Sequence, residues 1–78
     1  MRITLAIMEK FQKLFKGCDV EIIFFEESLH VTLSVIYLDL FDKVETFTRC
    51  YTYEEIYKLK YPTDIFNIFR LDFEDSFK

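Results

Sequence analysis

The chain is short of the residues that most reactive or phosphate-binding loops are built from: it has one glycine, Gly17, and one proline, Pro62. A single glycine excludes the glycine-rich turns that bring backbone amides against phosphates. One histidine and two cysteines are equally restrictive. His30, Cys18 and Cys50 are spaced without a CxxC or HxxxH pair, so the sequence predicts no metal ligand set and no cofactor. Neither cysteine stands in a context that would lower its pKa, and with no secretion signal in view both are expected as reduced thiols packed as small hydrophobes. The glutamates and aspartates near the end, Asp72, Glu74 and Asp75, lack the glycine turn and ligand rhythm of a calcium loop.

Long apolar runs are also missing. None exceeds four residues, as at Leu5–Met8 and Ile22–Phe25, whereas a spanning helix needs about 18 or more. Glu9, Lys10, Gln12 and Lys13 interrupt the N-terminal patch before a signal-peptide core develops, which predicts a cytoplasmic protein, in a bacterial host cell if the gene origin argued below holds.

What the chain has is apolar bulk. Hydrophobic residues make up 51% and aromatics 19% of 78 residues, with ten Phe and five Tyr. That is enough to build one small core, so residues 1–78 are expected to form a single domain. The preference for Phe, Tyr, Ile and Lys over Gly, Ala, Arg and Pro is the mark of an AT-rich gene, a bias shared by bacteriophages and mobile elements of low-GC bacteria.

Periodicity assigns the elements. Ile3, Ile7, Met8, Phe11, Leu14 and Phe15 recur on one helical face, and Gly17 supplies a left-handed stop. Cys18 to Glu26 reads as a strand with apolar residues on both faces. Leu29 to Leu40 alternates, but its apolar set changes from Leu29, Val31, Leu33 and Val35 to Ile36, Leu38 and Leu40, which predicts a β-bulge and a bend. Asp42-Lys43 turns the chain into a third strand, Val44 to Tyr51. Thr52-x-x-Glu55 is a capping box for a helix over 53–60, and Pro62 and Asp64 open another that carries Ile65, Phe66, Ile68 and Phe69. The predicted fold is α+β: an N-terminal helix, a three-stranded antiparallel meander with a long bent second strand, and two short C-terminal helices.

Charge is unevenly placed in a chain of net charge −4. Arg2, Lys10, Lys13 and Lys16 face only Glu9 in the first helix, and the remainder is strongly acidic. That surface repels a phosphate backbone and attracts basic proteins. With His30 on the polar side of its strand and no converging nucleophile, base and orienting group, the sequence predicts a non-enzyme. The expected role is a small acidic protein that binds and modulates another protein. In its most specific form this is a phage- or mobile-element-encoded inhibitor, a DNA mimic occupying a basic site on a host protein. Phe66, Phe69, Phe73 and Phe77 continue one helical stripe, so Asp72, Phe73, Glu74, Asp75 and Phe77 form an acidic-aromatic end suited to a basic-rimmed groove. Glu26, Glu27, Asp39, Asp42 and Glu45, at the turns and the start of the third strand, complete the candidate partner surface. Two alternatives carry less of the chemistry: a nucleic-acid-binding module using the basic first helix with Phe47 and Tyr51, and a homodimer with a structural role.

Overall fold

The computed structural model describes residues 4–77; Arg2 and Ile3, assigned above to the basic stripe and the first helix, lie outside them. The element order is α1 (Leu5–Lys13), β1 (Asp19–Phe25), β2 (His30–Leu38), β3 (Val44–Thr52), α2 (Tyr53–Tyr57) and α3 (Asp64–Asp75). The predicted α+β order is therefore observed. The strands form an antiparallel sheet in the order β1-β2-β3.

Local chemistry sets the boundaries. Thr4 Oγ1 accepts from the Ile7 amide at the start of α1. At its end the Gln12 side-chain amide donates to the carbonyls of Phe15 and Cys18, at 3.2 and 2.6 Å, which ties down the turn through Gly17 at φ +80. Thr52 Oγ1 accepts from the Glu55 amide at 3.1 Å, as the capping box requires. α2 is shorter than the 53–60 expected, because the chain must already turn toward Pro62.

The register corrects one expectation. Pairing between β1 and β2 and between β2 and β3 is unbroken, from Asp19↔Ile36 to Phe25↔His30 and from His30↔Thr52 to Leu38↔Val44, so no bulge interrupts β2. The change of apolar phase at Ile36 has a different origin. Val31, Leu33 and Val35 face the helices and are buried, whereas Ile36 and Leu38 fall on the opposite face, where Leu38 is exposed. Leu40 lies beyond the strand, in the turn.

All the helical contributions to the core are on one side of the sheet. Phe11 and Phe15 of the first helical segment, Ile56 of α2, and Ile65, Phe66 and Phe69 of α3 pack with Val31, Leu33, Val35 and Tyr51. Aromatic contacts join them: Phe11 stacks on Phe66 at 4.6 Å between ring centroids, and Phe69 meets Phe11, Phe15 and Phe47. The other face carries a polar band, with Ser34 Oγ 2.9 Å from Thr48 Oγ1 and Thr32 Oγ1 3.4 Å from Cys50 Sγ. An antiparallel sheet can show such a face to water, so the need for a partner to cover it, inferable from the apolar residues of β1, does not extend to its centre.

The scarcity of glycine has a local consequence. Both hairpins end in a left-handed residue, and with glycine used at position 17 those places fall to Leu29 (φ 52) and Asp42 (φ 59). Aspartate tolerates this region, but leucine is strained there. Leu29 is 60% exposed, so its side chain contributes little in return. Leu29→Gly is expected to raise unfolding stability by about 1 kcal/mol, read as a higher urea midpoint.

Candidate functional site

The molecule measures 37 × 24 × 23 Å, and the two hairpin turns stand at opposite ends of β2. This separates the acidic residues singled out in the sequence. Glu26 and Glu27 lie in the β1–β2 turn, together with Ser28, Leu29 and the adjoining α2. Asp39 and Asp42 lie in the β2–β3 turn, with Glu45 just inside β3. A nine-residue strand spans roughly 27 Å, so the two groups form separate surfaces.

The tail of α3 joins the second group. Tyr37, one residue before Leu38, contacts the Phe73 ring at 5.1 Å and the Phe77 ring at 5.6 Å. Phe73 also meets Phe15, Phe47 and Phe77, so it belongs to the core margin. Phe77 packs on Tyr37 and Phe73 through one side yet remains 59% exposed. The aromatic stripe therefore grades from a buried Phe69 to a half-open Phe77, with Glu74 and Asp75 exposed beside it.

Asp72 has a different position. Its Oδ2 accepts from the Tyr51 hydroxyl at 2.9 Å on the helical side of the sheet. Burial, with the hydrogen bond to Asp72 and that carboxylate's charge adding to it, pushes the Tyr51 phenol well above its ordinary value of 10.0. Above that pH the unfolded chain releases a proton that the folded state retains, so stability is full below pH ~10 and declines as pH rises beyond it. Tyr51→Phe is expected to cost about 1 kcal/mol at neutral pH by leaving Asp72 without its donor. It is also expected to flatten the alkaline decline, a difference that urea unfolding at pH 8 and pH 11 will register.

Among the described residues the two most exposed large apolar side chains, Leu40 and Phe41, are at the β2–β3 turn, with two more exposed apolar residues flanking them. Leu40 is 98% exposed, Phe41 82%, Val44 70% and Leu38 63%. The turn that carries them is well braced. Asp39 Oδ1 accepts from the amides of Phe41 and Lys43 at 2.8 and 2.9 Å, the Asp39 amide donates to the Lys43 carbonyl at 2.9 Å, and the Asp42 amide donates to the Asp39 carbonyl at 3.1 Å. Three loop residues ending in a left-handed one form a standard hairpin connection. The aspartate foreseen as surface charge is thus the turn's internal brace, and Leu40 and Phe41 are the residues it presents. The alternation places Leu40 in a strand and assigns Phe41 no role; the structure puts both in the turn. The available signal was two large apolar residues enclosed by Asp39 and Asp42 where a turn favours small polar ones.

The groups considered for chemistry are dispersed. Ser28 Oγ and His30 Nδ1 lie 2.8 Å apart across the exposed first turn, where Phe25 stacks on the imidazole at 4.6 Å. No carboxylate orients that ring through a hydrogen bond or ion pair among the described residues. Cys18 and Cys50 are free: Cys18 packs against the core, and Cys50 is exposed on the polar face. Among the described residues no group of three or more His, Cys, Asp or Glu side chains is placed to hold a metal ion, and no helix is long and apolar enough to cross a membrane.

Compared with protein-family models, with curated proteins and with solved structures, the chain matches none.

Proposed function

We propose that the protein acts by binding, docking onto a partner protein through the end formed by the β2–β3 turn and the last turn of α3. The observation that carries this reading is the pair Leu40 and Phe41, almost fully exposed on a turn held by four hydrogen bonds. Large apolar groups fixed in solvent mark interaction sites when they cluster, and aromatic anchors ringed by charge are the usual centre of such sites. Asp42 and Glu45 are exposed beside this tip with Lys43, and Glu74 is exposed on the α3 tail that packs on Tyr37, so the complementary surface is an apolar groove bordered by lysine or arginine. An acidic protein of sequence pI near 4.9 is drawn to such a surface by long-range attraction, and burial of Leu40 and Phe41 then holds it there.

Occupation of a basic site on a cytoplasmic host factor, as by a phage- or mobile-element-encoded inhibitor, is the specific form that charge and composition support. Full imitation of a DNA backbone fits less well, because the acids fall into two groups at opposite ends and the better-formed group surrounds an apolar centre. Affinity capture from host lysate at 50 and 500 mM salt tests the reading. A stoichiometric partner whose capture weakens with salt and is lost in a Leu40→Asp, Phe41→Asp double variant supports it. Equal capture by the variant, or direct salt-sensitive binding to DNA or RNA, contradicts it.

A further inference from the structure

A second feature lies away from the apolar tip. The seam between α1 and α3 is closed where Phe11 stacks on Phe66 and opens one helical turn earlier, at Ile7. α1 begins too late to cover the inner face of β1, so Ile22 and Phe24 stay half-buried. The result is a cavity of about 330 Å³ between α1, the sheet, α2 and the start of α3. Ile22, Phe24, Val31 and Leu33 form its floor, and Ile56, Ile65 and Phe66 line its walls with Pro62 and Thr63.

The lining is almost entirely carbon. The polar feature at its edge is Thr63, whose Oγ1 accepts from Lys10 Nζ at 3.3 Å. Lys10 is exposed and makes no ion pair among the described residues. An ammonium group with a hydroxyl beside it therefore stands at the mouth of an apolar cavity. Ile7, Ile22 and Phe24 are only half-covered there, so the dispersion contacts they lack are available to an apolar ligand.

We propose that this cavity binds a medium-chain fatty acid, with the chain lying on the half-buried Ile7, Ile22 and Phe24 and the carboxylate held by Lys10 and Thr63. Size and charge select this occupant. The volume of about 330 Å³, open to solvent on one side, has room for an alkyl chain of about ten carbons. The Lys10 ammonium beside Thr63 matches a carboxylate, and the almost wholly apolar lining disfavours sugars and nucleotides.

Decanoate, kept monomeric by working below its micelle-forming range, is the probe. Titrated into the isotopically labelled protein, it is expected to shift the resonances of Ile7, Ile22, Ile56 and Ile65 and to raise the melting temperature. Lys10→Ala, a surface change that leaves the fold intact, is expected to weaken decanoate binding about tenfold while leaving 1-decanol binding unchanged. Ile7→Phe, which places a ring in the opening, is expected to abolish both. The proposal is overturned if millimolar decanoate leaves those isoleucines unmoved, if the shifts centre on Leu40 and Phe41, or if Lys10→Ala weakens decanoate and decanol equally. The shifts centred on the tip would mark binding to exposed apolar surface and no use of the cavity.

Discussion

Phe69→Ala is expected to cost about 3–5 kcal/mol and leave the domain largely unfolded near 37 °C. Phe69 is fully buried in α3, and its ring meets Phe11 at 5.8 Å, Phe15 at 5.6 Å and Phe47 at 5.5 Å. It thereby joins the first helical segment, α3 and the edge strand β3. Truncation removes the apolar area and leaves a void that three neighbouring rings, each held by further contacts, cannot collapse to fill. A domain of this size has only about 5 kcal/mol or a little more to lose. Urea unfolding followed by far-UV circular dichroism will show a midpoint near zero denaturant. Phe77→Ala, on the same stripe but mostly exposed, is expected to cost less than about 1 kcal/mol. Equal effects for the two would mean that the core is not centred where it is described.

The Leu40→Asp, Phe41→Asp variant is expected to behave in the opposite way. Both side chains are exposed, and the bonds that hold the turn come from Asp39 and the backbone. Stability should stay within about 0.5 kcal/mol of the parent. Partner affinity should fall by about a hundredfold or more, since a buried aromatic anchor is worth about 2 kcal/mol or more and two new carboxylates would have to be desolvated in the groove. A melting curve and a capture experiment on the same preparation separate the two quantities. A variant that binds normally would place the docking surface elsewhere, and one that unfolds would mean that the turn is more deeply packed than its exposure indicates.

The contrast between these residues shows what the sequence made legible. Helical spacing identified Phe11, Phe66 and Phe69 as core residues, and the fold delivers them there because a short helix can bury only one stripe. Thr52 and Gly17 act through a local hydrogen bond and a single backbone angle, so their roles are readable without knowledge of neighbours. The phase change at Ile36 was read as a bulge because an inward apolar residue and an outward one look alike in a sequence; the register with Asp19 and Thr46 decides between them. The union of Phe77 with the β2–β3 turn depends on how α3 crosses the sheet, which no local pattern encodes. The cavity is illegible for a related reason: it forms between α1, the sheet, α2 and the start of α3, whose spacing no single segment encodes. The spacing of the turn aspartates does not show that the Asp39 carboxylate braces the loop while Leu40 and Phe41 stay exposed.

A photo-crosslinking amino acid placed at position 41, and separately at position 57, gives the most direct test of the docking surface in living cells. Tyr57 is also exposed, at 61%, but belongs to α2 at the opposite end of the sheet. One discrete adduct with another protein, formed from position 41 and not from position 57, is the predicted result. Adducts of equal yield from both positions, or an adduct only between two copies of this chain, would contradict the account.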